Sequence, residues 1–264
     1  MNKRRTLLLT NDDGYSAGGI RSLHDALAES FDVVVAAPTT EQSGIGHAFT
    51  FNRPLSHFPL PHSVGMTGWA VSGTPSDCVK FAVSHLLKDM PDLVVSGMNL
   101  GENSGISSYY SGTVAAAREG AFWRIPSFAF SVCKGSEIYL ADYSRMAHRI
   151  LNYLAKEDGA DRTKIIFYNV NFPDCRPSLC RGIRATRQSM AYFDDKYRRV
   201  SNDASDQEGF IVYGDKVDVE QSDTFDSRAI LNRYVAVTPL CFDATAEWAI
   251  PALADLEQSL PIQQ

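Results

Sequence analysis

Several features that mark common protein classes are missing from this sequence of 264 residues. No apolar run is long enough for a transmembrane helix, and no apolar segment of signal-peptide length stands near the start. The chain has 25 lysines and arginines against 31 aspartates and glutamates, a net charge of −6. That balance argues against nucleic-acid binding driven by phosphate neutralisation. We therefore expect a protein that binds neither a membrane nor a nucleic acid.

Cysteines are few, and they are scattered along the chain. There are five, an odd number, and none are spaced as Cys-x-x-Cys. Such a set argues against a disulfide framework or a zinc site and favours reduced thiols in a cytoplasmic protein. Cys175 and Cys180 could form a redox pair, although their spacing alone does not favour it.

The short motifs of three large protein classes are also absent. The sequence contains no GxSxG, no GxxxxGK[ST] and no GxGxxG. These absences remove the usual serine hydrolase, P-loop and dinucleotide-binding interpretations.

What the sequence does contain is an alternation of strand-like and helix-like segments. Strands are predicted at residues 7–9, 32–37, 92–96, 127–132 and 164–171, and helices at residues 18–30, 75–88, 111–120 and 139–156. Residues 48–72 are irregular and suggest a hairpin or a loop excursion. The alternation predicts an α/β fold with a Rossmann-like, doubly wound and mostly parallel sheet, and residues 1–264 form one domain.

The C-terminal part has a different character. Residues 174–209 are rich in charged and polar side chains and predict an extended arm, followed by a helix at 222–232 and a strand at 234–237 that Thr238 and Pro239 end. So polar an arm cannot bury enough apolar area to order itself alone. We expect residues 174–237 to pair with, or be exchanged for, the same arm of a second subunit in a homodimer or homotetramer. The apolar side chains available for this contact are Tyr192, Phe193, Tyr197, Phe210, Ile211, Val212, Tyr213 and Phe225.

The first candidate site is an acidic pair at a strand end. The stretch TLLLTNDDG at residues 6–14 predicts a buried strand that stops in a polar turn. Ligands of open α/β sheets lie just beyond the carboxyl ends of such strands. Asp12 and Asp13 would repel each other there unless a cation or a proton intervenes. In a loop, with the backbone freedom of Gly14, one ion could contact both carboxylates.

Polar segments that contain glycine also follow the second and third strands, at residues 38–44 and 96–105. Because they fall at the same edge of a parallel sheet, we expect them to converge with the acidic pair. Ser43 and Asn99 would then add neutral oxygens to the carboxylates of Asp12 and Asp13. This set favours one Mg²⁺ or Mn²⁺ ion, or Ca²⁺, over zinc, since no His or Cys accompanies it.

A predicted helix start supplies the complementary anion site. Ser111, Gly112 and Thr113 would offer hydroxyls, free backbone N–H groups and the positive end of the helix dipole. A cation beside such a helix start is the arrangement for metal-assisted hydrolysis of a phosphate ester. No Ser or Cys lies beside a general base, so we expect direct attack by a metal-activated water, with Asp13 as the base.

Each of these segments also has a purely structural interpretation. Asp-Asp-Gly after a strand is common in turns, and Ser111 could be a simple helix N-cap. Asn99 and Asn103 could occupy left-handed turn positions. The functional interpretation therefore depends on the separate segments meeting at one edge of the sheet.

Taken together, these blocks closely resemble the SurE (survival protein E) family of nucleotidases. The resembling blocks are LLLTNDDGYSAGGI, AAPTTEQSGIGHAFT, SGTPSDCVK, PDLVVSGMNLGENSG, YYSGTVAAAREG, NVNFPD and YVAVTPL. The resemblance implies a Rossmann-like domain with a C-terminal arm exchanged between subunits. It implies a metal-dependent phosphatase that acts on nucleoside 5′-monophosphates and, in some members, on 3′-monophosphates or polyphosphate.

The resemblance also implies roles for individual residues. It identifies the metal ligands as Asp12, Asp13, Ser43 and Asn99, of which Asp12, Asp13 and Asn99 are the catalytic residues. The implied phosphate-binding residues are Asn11, Asn103, Ser111, Gly112 and Thr113. The chain departs from the family pattern at TTEQSG, which has no basic residue before Ser43, and at residues 107–109, where acidic residues are common. Residues 174–209 show no family pattern. None of these departures involves a predicted metal ligand, so they concern substrate preference and not the metal site.

Three other functions are compatible with parts of this pattern. A phosphoacceptor receiver domain is excluded, because its phosphorylated aspartate would fall at Gly97. A metal-dependent glycosyltransferase stays open, and turnover of a nucleotide sugar would support it. A non-catalytic nucleotide-binding module also stays open, and release of free phosphate from a nucleoside monophosphate would exclude it.

Overall fold

The computed structural model describes residues 4–155, 166–200 and 208–253. Its strands are β1 (Thr6–Thr10), β2 (Asp32–Pro38), β3 (His57–Pro59), β4 (Gly68–Val71), β5 (Leu93–Leu100), β6 (Ser127–Val132), β7 (Ile166–Phe172), β8 (Gly182–Ala185), β9 (Tyr192–Phe193), β10 (Lys196–Val200), β11 (Gly209–Tyr213), β12 (Lys216–Val217) and β13 (Tyr234–Cys241). Its α-helices are α1 (Gly18–Leu27), α2 (Pro75–Phe81), α3 (Ser107–Tyr110), α4 (Gly112–Phe122), α5 (Leu140–Leu154) and α6 (Asp226–Leu231).

The described strands form one large sheet and two small ones. The large sheet has the order β3-β4-β2-β1-β5-β6-β7-β13-β8. Strands β4, β2, β1, β5, β6 and β7 run parallel, and only the pairs β3–β4 and β7–β13 are antiparallel. The predicted α/β fold with a mostly parallel sheet is confirmed.

Both faces of the sheet are covered, which explains why its central strands are apolar throughout. Leu7 and Leu9 point to one face and pack in the same cluster as residues of α1 and α5. Leu8 points to the other face and packs with residues of α2 and α4. All three leucines are fully buried. Helices on both faces are the doubly wound arrangement that the alternation of segments predicted.

The irregular segment 48–72 contributes to the edge of the sheet. It contains β3 and β4, which pair antiparallel, and β4 pairs parallel with β2. The prediction of a hairpin excursion is confirmed. In the sheet order, β3 and β4 lie on the far side of β2 from β1, and they are not among the strands that end at the candidate site.

Several predicted boundaries differ from the structure, among them the end of the strand predicted at 92–96, which continues to Leu100, and two further differences have a clear structural cause. The strand predicted to stop at Val237 continues to Cys241, and Pro239 lies opposite Tyr168 of β7. Strand β8 pairs with β13 only as far as Val237. Pro239 lies beyond the end of β8, so its missing N–H group breaks no hydrogen bond with that strand. The helix predicted at 222–232 begins only at Asp226, since Ser222 accepts the N–H of Phe225 in a turn.

The C-terminal segment divides into two parts. Strands β8 and β13 belong to the main sheet, and helix α6 packs against β13. Ala229 of α6 and Ala236 of β13 are fully buried. The remaining part, residues 188–217, is called the arm below; it carries the pairs β9–β12 and β10–β11. The predicted arm of residues 174–237 therefore also includes elements of the main sheet. Exchange between subunits stays a prediction.

None of the helices in the described ranges has the length and apolar character needed to span a bilayer.

Candidate active site

A cavity of about 830 Å³ opens where β1, β2 and β5 end. Six of the predicted site residues line it: Asp12, Asp13, Ser43, Asn99, Asn103 and Ser111. Asn11, Gly112 and Thr113 lie directly behind this wall and are fully or nearly fully buried. The predicted convergence of separate segments at one sheet edge is therefore seen in the fold.

The turn after β1 presents the acidic pair. Asn11 is fully buried, and its Nδ2 donates to the carbonyl of Gly14 at 2.9 Å, which closes the turn. Gly14 has φ +95°, a conformation that favours glycine. The N–H of Gln42 donates to the carbonyl of Asp12 at 2.7 Å and so joins the loop after β2 to the turn after β1.

The two carboxylates lie in an unfavourable electrostatic environment. Burial raises the pKa of Asp12 above its ordinary value, and a hydrogen bond from Thr113 offsets part of the rise. Burial, followed by the charges of Asp12 and Glu41, raises the pKa of Asp13 to about 7. The Oδ2 of Asp13 is buried and has no hydrogen-bond partner among the described residues. The pair therefore requires a positive charge or a proton to be satisfied.

Neutral oxygens complete the candidate ligand set. The Nδ2 of Asn99 donates to the carbonyl of Gly101 at 2.7 Å, so its amide oxygen is the end left for a cation. The hydroxyl of Ser43 donates to Glu41 at 2.6 Å and keeps its own lone pairs for a further contact. Carboxylate, amide and hydroxyl oxygens suit a hard divalent cation.

A carboxylate cluster alone would not hold such an ion. Across the three described ranges, no group of three or more His, Cys, Asp or Glu side chains is placed to bind a metal. A cation at the two aspartates would need Ser43 and Asn99 as further protein ligands. With that addition, the unpartnered oxygen of Asp13 and the all-oxygen donor set fit Mg²⁺ or Mn²⁺.

The start of α4 packs directly against Asp12. Thr113 is fully buried, and its hydroxyl donates to Oδ1 of Asp12. A Cβ added to Gly112 would lie 2.8 Å from the Cβ of Asp12, so only glycine allows this close approach. Thr113 therefore contacts the carboxylate, whereas the prediction was that it faces a phosphate.

Ser111 has a structural role and a place in the cavity. It is the N-cap of α4, and its Oγ accepts the N–H of Val114 at 3.1 Å. It also lines the cavity beside Asp12. The N-cap alternative is thus confirmed, and the first turn of α4 points its N–H groups toward the same space as the acidic pair.

Asn103 is held from three sides. Its N–H donates to Oδ1 of Asn171 at 2.7 Å, and its Nδ2 donates to Ser131 at 2.8 Å. The Nδ2 of Asn169 donates to the carbonyl of Asn103 at 2.7 Å. These buried polar side chains on β6 and β7 fix the loop after β5. In the sequence, the two asparagines of the block NVNFPD were the feature that could have identified Asn169 and Asn171 as residues supporting the site.

The sequence matches a known protein family over most of its length. The profile of the family described as "Survival protein SurE" matches residues 7–195. The chain belongs to the SurE family.

SurE relatives match over nearly the full length. A protein of Syntrophobacter fumaroxidans named 5′-nucleotidase SurE is 39% identical over 243 residues, which cover 90% of this chain and 94% of that protein. One of the same name from Flavobacterium psychrophilum is 38% identical over 249 residues, with coverage of 94% and 95%. The crystal structure of the SurE protein from Aquifex aeolicus superposes with a TM-score of 0.80 at 34% identity and covers 96% of this chain and 99% of that one.

Some cavity residues of this SurE chain were not predicted as site residues. Glu41 and Glu102 line the cavity, as does Tyr110 at the end of α3. Tyr192 and Phe193 of the arm also line it, although they were predicted to contact a second subunit. The sequence signal for them was an aromatic pair in a charged segment, which does not reveal what the pair contacts.

Proposed function

We propose that this chain is a metal-dependent phosphatase that hydrolyses nucleoside 5′-monophosphates to nucleoside and phosphate. The observation that carries the proposal is the single cavity in which six predicted oxygen-bearing side chains meet. The relatives named 5′-nucleotidase SurE support the substrate class. Nucleoside 3′-monophosphates and polyphosphate are candidate additional substrates.

Asp12, Asp13, Ser43 and Asn99 would hold one divalent cation, Mg²⁺ or Mn²⁺, with Ca²⁺ as an alternative. The cation would supply positive charge that offsets both carboxylates and the phosphate, and it would act as a Lewis acid. The support for this assignment is the all-oxygen donor set and the unpartnered Oδ2 of Asp13.

The chain's own groups would bind and orient the phosphate. Ser111 and the N–H groups at the start of α4 would donate hydrogen bonds to its oxygens, and Asn103 borders the same space. The side chain of Thr113 would hold Asp12 in place, Gly112 allows the close approach of α4 to Asp12, and Asn11 closes the turn that carries the acidic pair. Asp13 would accept a proton from the attacking water.

We also infer a cytoplasmic homodimer or homotetramer. The five cysteines are all free, and two of them, Cys78 and Cys133, are buried, which suits a reducing compartment. The exposed apolar side chains of β10 and β11 supply a surface for a second subunit.

A phosphate-release screen tests the proposed reaction. The purified chain is given 5′- and 3′-monophosphates of each nucleoside, polyphosphate and a nucleotide sugar, each with Mg²⁺, with Mn²⁺ or with EDTA. We expect metal-dependent phosphate release from the 5′-monophosphates and none in EDTA. Turnover of only the nucleotide sugar would favour a glycosyltransferase, and binding without turnover would favour a non-catalytic module.

The nucleophile is tested with ¹⁸O-labelled water. Under single-turnover conditions, direct attack by water places the label in the released phosphate. A trapped phosphoenzyme, or unlabelled phosphate in the first turnover, would exclude direct attack and indicate a covalent intermediate.

A further inference from the structure

The first part of the arm packs on the loop after β5 of its own chain, which carries Asn103. The N–H of Ile106 donates to the carbonyl of Ala191 at 2.9 Å. The Nε2 of Gln188 donates to the carbonyl of Gly105 and to the hydroxyl of Ser108, both at 3.0 Å. Residues 188–191 therefore follow the loop that carries Asn103.

A buried carboxylate joins these two segments. Asp226 is fully buried, and its Oδ1 accepts the N–H of Ser189 at 2.9 Å. Its Oδ2 accepts the N–H of Gly105 at 3.1 Å. One side chain thus binds the arm and the loop after β5 at the same time, and its burial makes both hydrogen bonds costly to lose.

A lysine fixes the next residues of the arm. The Nζ of Lys216 donates to Glu102 at 2.8 Å and to the hydroxyl of Ser104 at 2.6 Å. In the pair β9–β12, Lys216 lies opposite Phe193. The ion pair therefore holds the strand that carries Tyr192 and Phe193 against the mouth of the cavity.

The result is an aromatic wall, Tyr192 and Phe193, in a cavity that is lined mainly by side chains with oxygen atoms. Tyr192 and Phe193 line the cavity with 43% and 46% of their surfaces exposed. Half-exposed rings held by a fixed backbone offer flat faces at a low entropic cost. The cavity, at about 830 Å³, is far larger than a phosphate group alone requires and lies within the range of sites that take a whole small molecule.

We propose that Tyr192 and Phe193 form the nucleobase subsite, where the base stacks on their rings while the phosphate lies at the acidic pair and the start of α4. This inference rests on the proposed function and adds the residues that recognise the substrate. Stacking uses the π-face that every base has, so it gives affinity with little discrimination between bases. The enzyme should therefore accept the 5′-monophosphates of all common nucleosides and prefer those of the purines, whose rings offer the larger faces.

The test compares substrates that differ only in the base. Tyr192→Ala, Phe193→Ala and the double variant are assayed with adenosine 5′-monophosphate, uridine 5′-monophosphate and ribose 5-phosphate, which has no base. We expect KM for the two nucleotides to rise roughly tenfold or more in the variants. Ribose 5-phosphate kinetics should stay within about twofold of wild type, and Phe193→Trp should restore nucleotide KM. Tyr153→Ala, which removes an exposed tyrosine of α5 outside the cavity lining, is the matched control.

The possible results separate this inference from the proposed function. An equal loss with nucleotides and with ribose 5-phosphate would overturn the subsite and indicate a purely structural role for the wall. Unchanged kinetics in the double variant, together with a change in sedimentation, would assign the two rings to a subunit contact. If the wild-type chain releases no phosphate from any substrate, the proposed function fails. Calorimetric titration with adenosine 5′-monophosphate then decides the subsite, since weaker binding by Phe193→Ala supports it and equal binding overturns it.

Discussion

At the scale of single residues, the acidic pair favours function at the expense of stability. Asp12 and Asp13 are adjacent carboxylates in a partly buried turn, and Glu41 adds a third negative charge nearby. Repulsion among such groups opposes folding unless a cation is bound. Functional sites commonly retain such unfavourable groups because the chemistry requires them.

Asp13→Asn should abolish phosphate release while the fold persists. The amide keeps the volume of the side chain but removes the charge that a cation and a proton acceptor require. In EDTA, the free energy of unfolding should equal or exceed that of wild type, because one repelling charge is gone. Urea unfolding and the phosphate assay measure the two effects, with Asp25→Asn, an exposed carboxylate of α1, as control. Full activity in Asp13→Asn, or in wild type with EDTA, would contradict the metal site.

Thr113→Val tests the hydrogen bond behind Asp12. The substitution keeps the side-chain shape but leaves a buried carboxylate oxygen without its donor. We expect kcat/KM to fall by an amount equivalent to about 1–3 kcal/mol. Thr186→Val is the matched control, because it removes a buried hydroxyl that pairs with Thr238 at 2.8 Å, away from the cavity lining. Similar kinetics in both variants would mean that Thr113 does not position Asp12.

At the scale of elements, a buried glutamate of α4 joins three parts of the chain. Glu119 accepts hydrogen bonds from His47 at 3.0 Å, Lys80 of α2 at 2.9 Å and Trp123 at 3.0 Å. Burial alone would raise the pKa of Glu119, but these three hydrogen bonds and the charge of Lys80 outweigh it and lower the pKa below its ordinary value. The network holds α2 and α4 together beneath the loop after β2.

Glu119→Gln should lower the free energy of unfolding by roughly 1–3 kcal/mol at pH 7. Because the folded pKa lies below the unfolded one, the stabilisation is complete above the unfolded pKa of about 4.5 and is lost as pH falls through the folded pKa. The difference between wild type and variant should therefore shrink below about pH 4.5. Urea unfolding at several pH values measures it, and Glu29→Gln, an exposed residue, is the control. A difference that is independent of pH would contradict the ionic role.

At the scale of the whole molecule, the pair β10–β11 has no partner within the described chain that covers its apolar residues. Tyr197, Phe210 and Val212 are 69%, 58% and 51% exposed. An isolated two-stranded pair is marginally stable in water, so we expect these side chains to be buried against another protein surface. A second copy of the chain is the occupant we infer, since a self-complementary contact needs only one such surface.

The double variant Phe210→Ser, Val212→Ser should convert the inferred dimer or tetramer into a smaller species. The apolar area that the inferred contact buries would be lost, while the cavity residues stay in place. Sedimentation at micromolar concentration measures the change, and Ile138→Ser, an exposed residue outside the arm, is the control. A wild-type chain that sediments as a monomer would contradict the assembly and leave the metal-site argument unaffected.

Local patterns were sufficient for much of the fold and the site. Leu7, Leu8 and Leu9 predicted a strand buried on both faces, and the turn residues after it located the acidic pair. The limits of local patterns show at Pro239, where a proline ended the predicted strand although β13 continues. Whether a proline is tolerated depends on which strand lies beside it, and that neighbour is more than fifty residues away in sequence.

The sequence by itself determined the alternation of the central strands and helices, the edge at which their polar ends meet, and the oxygen chemistry of Asp12, Asp13, Ser43 and Asn99. These properties follow from periodicity and side-chain type, which act over a few residues. Tertiary structure alone decided that Thr113 contacts Asp12 and that Asp226 and Lys216 hold Tyr192 and Phe193 over the cavity. Such contacts join residues far apart in the chain, and the hydrogen bonds and apolar surfaces that select them exist only once the sheet and its helices have packed.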